Sequence, residues 1–215
     1  MKSRFDLIIF DWDGTLINSI DWITHCLQQA AIQCDCSMPE SQAAKDVIGL
    51  SINKAMQTLI PDADAKTLKQ LVACYSRNYL SKQISRNDLF PGAYEMLVQL
   101  NETGYRLAVA TGKTRAGLQE ALQATGTEEL FCITRCSDET ASKPDPRMLH
   151  EIILHTHTAK ERTLMVGDSV HDLQMALNAP ISAIAVSCGA HSAACLQQYH
   201  PLLCLQQTTE LLNII

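Results

Sequence analysis

The sequence contains no apolar run long enough to cross a bilayer. The longest runs, such as residues 7–10 and 107–110, fall far short of the roughly 20 residues that a membrane-spanning helix needs. The first residues lead directly into an apolar segment that ends at Asp11, without the long apolar stretch and cleavage site of a signal peptide. We therefore expect no membrane partner and a cytoplasmic location.

Positive charge is also scarce. The chain has 17 Lys and Arg residues against 23 Asp and Glu residues, and its formal net charge is -6. The basic residues are scattered along the chain, which is not the stripe that a nucleic-acid surface requires. We expect no nucleic-acid partner, and a phosphorylated ligand would need local compensation by a metal ion and a few cations.

The cysteines show no pairing pattern. Their number, nine, is odd, and the closest pair, Cys34 and Cys36, has one residue between them and no second pair at metal-site spacing. We therefore predict neither a disulfide framework nor a zinc site. The apolar surroundings of Cys74, Cys132 and Cys188 favour free, buried thiols.

Apolar segments alternate with helical patterns over most of the chain. Five segments end at polar or glycine-containing turns and are predicted to be strands: residues 6–10, 105–110, 131–134, 163–166 and 181–186. Helical patterns follow Gly92 and cover residues 114–124, 146–155 and 171–178. This alternation predicts an α/β fold with a Rossmann-like parallel sheet.

One long segment departs from this alternation. Four amphipathic helical patterns follow one another between residues 18 and 87, and no strand pattern separates them. We predict an inserted four-helix cap domain over residues 18–87, and an α/β catalytic core over residues 1–17 and 88–215. Ligands of open α/β sheets bind beyond the carboxyl ends of the strands, so this insertion could close over such a site.

Acidic residues follow two of the predicted strands. Asp11 and Asp13 lie in the run Asp-Trp-Asp-Gly-Thr, and Asp168 and Asp172 lie in the run Gly-Asp-Ser-Val-His-Asp. Each run alone could be an ordinary turn. Two acidic strand ends can converge, however, and Mg²⁺ prefers such oxygen ligands. We predict that Asp11 and Asp168 bind Mg²⁺, with Asp172 supporting them from behind.

Two further motifs, each taken alone, are weak evidence of a functional site. Ala110-Thr111-Gly112-Lys113 ends a predicted strand, and its hydroxyl and backbone amides could receive phosphate oxygens. The segment Ser142-Lys143-Pro144 places a lysine just before the helix that opens at Pro146.

The four motifs together, in this order, resemble the pattern of the haloacid dehalogenase superfamily, and the match spans almost the whole chain. The helical insertion resembles the small cap of the subfamily that includes phosphoglycolate phosphatases, β-phosphoglucomutases and phosphonatases. Residues 10–19 and Phe90-Pro91-Gly92 look most like phosphoglycolate phosphatase-like proteins. Thr-Gly-Lys stands where Thr-Asn-Lys is commoner, so Gly112 is a departure that leaves the substrate open.

The resemblance implies a role for each matching residue. Asp11 would be the nucleophile that attacks phosphorus. Asp13 would be the general acid and then the general base. Thr111 and the amide of Gly112 would bind the phosphoryl group, and Lys143 would offset charge on the nucleophile and on the phosphate oxygens.

The resemblance also implies a magnesium site. Its ligands would be the Asp11 carboxylate, the backbone carbonyl of Asp13 and the Asp168 carboxylate, with Asp172 in the second coordination sphere.

By this resemblance the chain is expected to be a magnesium-dependent phosphatase. It would hydrolyse a small phosphate monoester, phosphoglycolate-like or another small metabolite, through an aspartyl-phosphate. A phosphosugar mutase of the β-phosphoglucomutase type and a catalytically idle binding protein of the same fold stay open. A dehalogenase would lack Asp13, and a phosphonatase would need a cap lysine such as Lys45 or Lys54.

The sequence does not identify the residues that select the substrate or the oligomeric state. Asn53, Lys54, Arg77 and Arg86 are candidates in the predicted cap. We take a monomer with a small phosphorylated metabolite as the default, and a dimer stays open.

Overall fold

The sheet is the centre of the computed structural model, which describes residues 4–215. Its six strands are β1 (Leu7–Phe10), β2 (Arg106–Thr111), β3 (Ile133–Cys136), β4 (Thr163–Gly167), β5 (Ser182–Val186) and β6 (Cys204–Leu205). They are all parallel and lie in the order β3-β2-β1-β4-β5-β6. The predicted parallel α/β fold is therefore confirmed. β1 lies between β2 and β4, so the ends of these three strands meet at one edge.

Four helices follow β1 in the chain: α1 (Ile20–Gln33), α2 (Ser41–Asp46), α3 (Ile52–Leu59) and α4 (Ala65–Tyr79). They share a hydrophobic cluster that includes Ile23, Leu27, Met56 and Leu71. This cluster is distinct from the two clusters that flank the sheet. We call residues 18–87 the helical insertion. The division of the chain at these residues stays a prediction.

The remaining helices cover both faces of the sheet. They are α5 (Ala93–Glu102), α6 (Arg115–Thr125), α7 (Arg147–Thr156), α8 (Val170–Asn178) and the short α9 (Ala193–Leu196). Alternate residues of β1 point to opposite faces, as in any strand. Ile8 and Phe10 belong to the cluster formed with α5 and α6, whereas Leu7 and Ile9 belong to the cluster formed with α7 and α8. Burial on both faces explains why the strands are nearly continuous apolar runs.

The two connections between the sheet and the helical insertion lie side by side. Ile17 forms an antiparallel bridge with Leu89. The Asn18 amide donates to the Asp88 carbonyl at 2.8 Å, and the Phe90 amide donates to the Leu16 carbonyl at 3.0 Å. The outgoing and returning chain segments are therefore hydrogen-bonded to each other.

Some boundaries differ from the predicted ones. The strand predicted at residues 131–134 is observed at Ile133–Cys136, because a short 3-10 helix, Glu128–Leu130, precedes it. Strand β6 was not predicted, since two residues carry no periodic signal. Other short 3-10 helices lie at Arg86–Asp88, Lys160–Arg162, Gln197–Tyr199 and Thr208–Asn213.

The cysteines are free, as predicted, but most are not buried. All nine are unpaired in the structure, and only Cys26 and Cys136 are buried. Cys132 is exposed, so its predicted burial is wrong: it lies just before β3, outside the sheet core. Within residues 4–215, no helix has the length and apolar character that crossing a membrane requires.

Candidate active site

A cavity of about 240 Å³ lies between the carboxyl ends of β1 and β2 and the helical insertion. Five residues of the predicted motifs line it: Asp11, Asp13, Thr111, Gly112 and Lys113. Parallel strands place their carboxyl ends at one edge of the sheet, where ligands of this architecture bind. The structure thus brings the Asp-Trp-Asp-Gly-Thr and Thr-Gly-Lys motifs to one cavity.

Three carboxylates form a cluster behind this cavity. Asp11 follows β1, Asp168 follows β4 and Asp172 lies in the first turn of α8; each offers an oxygen within 4.8 Å of the others. All three side chains are buried. The pairing of β1 with β4 brings together residues that are about 160 positions apart in the chain. Asp172 was predicted to support the site from behind, and the structure places it within the cluster.

Lys143 is buried among these carboxylates. Its Nζ lies 2.7 Å from Asp11 Oδ1 and 2.6 Å from Asp172 Oδ1. Burial alone would lower the pKa of Lys143, but the two neighbouring carboxylates raise it above its ordinary value. Lys143 is therefore a fixed cation that contacts the predicted nucleophile directly.

One lysine does not balance three carboxylates. Burial raises the pKa of Asp11 well above its ordinary value, and the neighbouring Asp172 and Asp168 raise it further. Burial and the Asp172 carboxylate also raise the pKa of Asp168 to about 7. Both shifts arise because excess negative charge is enclosed at low dielectric. An all-oxygen donor set with this excess fits a hard divalent cation such as Mg²⁺.

The Asp168 carboxylate is held in a defined orientation. The Thr15 hydroxyl donates to Oδ1 at 2.7 Å, and the Ala190 amide donates to Oδ2 at 2.7 Å. A Cβ at Gly14 or Gly189 would lie 2.2 or 2.0 Å from Oδ2, so neither position has room for a side chain. Gly14 also has a φ of +78°, which favours glycine.

Asp13 has partners that sequence reasoning missed. The Ser19 hydroxyl donates to Asp13 Oδ1 at 2.7 Å, and Lys113 Nζ lies 3.1 Å from Oδ2. Lys113 Nζ also donates to the Tyr79 hydroxyl at 2.7 Å. Tyr79 belongs to the helical insertion, so these contacts join the insertion to Asp13. The Thr-Gly-Lys motif includes Lys113, whereas no local sequence pattern identified Ser19 or Tyr79 as residues of the site.

The candidates for substrate selection do not reach the cavity. Asn53, Lys54, Arg77 and Arg86 are exposed and do not line it. Arg77 contacts the Cys74 thiol, and Arg86 donates to the Thr125 carbonyl. Lys45, the other lysine considered for Schiff-base chemistry, lies near Asp21 and does not line the cavity either.

Gly112 permits a close approach between the sheet and the helical insertion. A Cβ at this position would lie 2.5 Å from both the Gly49 and the Leu50 carbonyl oxygens. Backbone carbonyls cannot rotate away as a flexible side chain can, so a side chain at 112 would displace the loop between α2 and α3. The departure from the commoner Thr-Asn-Lys motif thus has a steric explanation.

Gly112→Ala is expected to lower kcat/KM by about a hundredfold, because displacing the helical insertion by about 1 Å misplaces groups around the reacting atoms. Steady-state kinetics and the thermal midpoint of unfolding would be measured together. Gly117→Ala is the control: its new methyl would first meet the Thr114 hydroxyl at 3.3 Å, and no backbone atom of another chain segment is that close. Equal values of kcat/KM for the Gly112→Ala and Gly117→Ala variants would contradict the steric explanation.

Known proteins are similar to this chain over most of its length. The family model of haloacid dehalogenase-like hydrolases matches residues 8–186. Pyrophosphatase PpaX of Halalkalibacterium halodurans is 27% identical over 213 residues, which cover 99% of this chain and 97% of that protein. Probable phosphatase IndB of Dickeya dadantii is 31% identical over 213 residues, which cover 96% of this chain and 92% of that protein.

A solved structure extends the comparison to the fold. A haloacid dehalogenase-like hydrolase from Bacteroides fragilis superposes with a TM-score of 0.88, covers 97% of this chain and 100% of its own, and is 24% identical. All four motifs lie inside the residues that the family model matches.

Proposed function

The chain belongs to the haloacid dehalogenase-like hydrolases and is a phosphatase of that family, and we propose that it hydrolyses a small phosphate monoester. The reaction would pass through an aspartyl-phosphate on Asp11. The observation that carries the proposal is the placement of Asp11. Its carboxylate lines the cavity and lies 2.7 Å from the buried Lys143 ammonium. The Lys143 ammonium offsets part of the cost of ionising this buried carboxylate, and a divalent cation at the cluster would offset more of it, so that the ionised Asp11 can act as a nucleophile.

In the first step, an Asp11 carboxylate oxygen attacks phosphorus and the bond from phosphorus to the ester oxygen breaks. Asp13 donates its proton to the departing oxygen. The Asp13 carboxylate lies at the same cavity and is held by Ser19 and Lys113, which orient it. The Thr111 hydroxyl and the Gly112 amide are proposed to bind the phosphoryl oxygens.

In the second step, Asp13 accepts a proton from water, and the water oxygen attacks phosphorus. The bond from phosphorus to Asp11 breaks, so Asp11 is regenerated and inorganic phosphate leaves. Lys143 contacts Asp11 in the structure and is proposed to offset negative charge there in both steps.

The residues that would hold Mg²⁺ are Asp11, Asp168 and the backbone carbonyl of Asp13, with Asp172 beside them. When bound, the ion would supply positive charge to the phosphoryl oxygens and to the carboxylate cluster. The excess negative charge of the buried cluster supports this assignment.

Removal of divalent cations is expected to stop the reaction. With 4-nitrophenyl phosphate as substrate, phosphate release should fall to background in chelator and return when Mg²⁺ is added in excess. The thermal midpoint of unfolding should rise with Mg²⁺ as well, because an ion that binds only the folded state stabilises it. Release that is unchanged in chelator would contradict the metal assignment. No release under any condition from a folded protein that binds Mg²⁺ would favour a mutase or a binding protein.

A further inference from the structure

Beyond the reacting groups, the cavity is lined mainly by apolar side chains of the helical insertion. Six of them come from α1, α3 and the loop between α2 and α3: Ile23, Leu27, Val47, Ile48, Leu50 and Ile52. Tyr75 and Tyr79 of α4 also line the cavity, and their rings are stacked with centroids 5.8 Å apart.

The cavity offers no free cation to a second anionic group. Among residues 4–215, Lys113 is the only lysine, arginine or histidine that lines it. Lys113 is already paired with Asp13 and hydrogen-bonded to Tyr79. Glu120 of α6 also lines the cavity and adds a negative charge. Among the described residues, a ligand carboxylate or second phosphate against the apolar wall would therefore find no cationic side chain that is not already paired.

We propose that the leaving group of the substrate is uncharged and largely apolar, such as an aryl or branched alkyl alcohol. The proposal rests on the phosphatase activity proposed above and narrows its substrate class. Burying an unpaired charge costs far more than apolar contacts return, whereas an uncharged group gains from the apolar walls. The charged leaving groups of phosphoglycolate and pyrophosphate are accordingly disfavoured.

The size of the cavity agrees with such a group. An engineered apolar cavity of about 150 Å³ binds benzene in another protein. The cavity here, at about 240 Å³, has room for one ring or a short branched chain beside the phosphoryl group. The stacked tyrosines provide an aromatic wall against which a ring can pack.

The test compares matched pairs of esters on the Mg²⁺-loaded enzyme. Phenyl phosphate is paired with 4-carboxyphenyl phosphate, and isobutyl phosphate with 2-phosphoglycolate, so that each pair differs chiefly by one carboxylate. We expect kcat/KM to be at least about tenfold higher for the uncharged member of each pair. Equal values, or a preference for the carboxylates or for pyrophosphate, would overturn the proposal.

A charge introduced into the wall makes the test sharper. Ile52 is partly buried at the start of α3 and lines the cavity. Ile52→Lys is expected to reduce the ratio of kcat/KM between the uncharged and the charged ester of each pair by about tenfold, because the new ammonium gives the carboxylate of the charged ester a partner. Ile52→Met has a similar length without the charge and should keep the original ratio. Identical ratios in both variants would show that this wall does not contact the leaving group, and would contradict the proposal.

Failure of the phosphatase proposal can be told apart from failure of this one. If no ester is hydrolysed, calorimetry with Asp11→Asn and Mg²⁺ measures binding of the same four esters. Tighter binding of the uncharged members would support the inferred leaving group even though hydrolysis failed. Absence of binding, or binding without that preference, would overturn it.

Discussion

Asp11→Asn is expected to abolish phosphate release while the protein stays folded. Asparagine keeps the size of the side chain but removes the anionic oxygen that attacks phosphorus, and loss of a covalent nucleophile costs at least about ten-thousandfold in turnover. The side chain is buried at the cavity and contributes little apolar packing.

The stability of this variant has a separate rationale. Burial and two neighbouring carboxylates disfavour the ionised form of Asp11, so a neutral amide relieves part of that cost. Lys143 keeps its second partner, Asp172, at 2.6 Å. We expect the free energy of unfolding to change by less than about 1.5 kcal/mol.

Single-turnover phosphate release and the thermal midpoint of unfolding check both parts. Asp145→Asn is the matched control, because this partly exposed carboxylate pairs with Arg147 outside the cavity. It should retain wild-type turnover. Substantial release by Asp11→Asn would refute the nucleophile assignment, and loss of folding would refute the stability argument.

Lys143→Met is expected to destabilise the protein strongly and to abolish turnover. Methionine fills much of the same space, but it leaves the buried Asp11 and Asp172 carboxylates without their ammonium partner. Breaking a buried ion pair on one side costs about 3–5 kcal/mol, because a charge stays enclosed without compensation.

Chemical denaturation measures this loss, and the matched control is Lys82→Met. Lys82 pairs with Asp88 at 2.7 Å, a similar distance, but its side chain is 41% exposed. Surface pairs contribute about 0–1 kcal/mol, so the control should unfold almost like the wild type. Mg²⁺ should restore part of the stability of Lys143→Met if the cluster binds the ion. Similar losses in both lysine variants would contradict the role assigned to Lys143.

The fold and the acidic residues at the strand ends were predictable because the signals for them lie in short stretches of sequence. Buried parallel strands are apolar runs, and such runs end at turns that carry the polar residues, so the sequence alone places Asp11 and Asp168 at strand ends. Strand pairing then determines which ends meet. The pairing of β1 with both β2 and β4 was needed to bring Thr111 and Asp168 to the same edge as Asp11.

Contacts between the helical insertion and the sheet could not be predicted in the same way. The hydrogen bond from Lys113 to Tyr79 and the approach of Gly49 to Gly112 depend on where the insertion lies over the sheet. Periodicity identifies the apolar face of a helix but not which apolar residues face a cavity. For that reason the charged residues Arg77 and Arg86 were proposed as substrate-selecting candidates, whereas Ile52 and Leu50 are the residues that line the cavity.

The paired backbone segments at Ile17 and Leu89 have a mechanical consequence. The helical insertion is covalently joined to the sheet only through these two segments, so it resists translation and twisting there. It keeps one soft rotation about the axis of this hydrogen-bonded seam once its side-chain contacts across the cavity, such as that of Tyr79 with Lys113, separate. Small changes of φ and ψ on either side of this pairing would displace each atom of the helical insertion in proportion to its distance from the axis. Opening of the cavity would then need no hydrogen bond of the seam to break, and both chain segments would turn together.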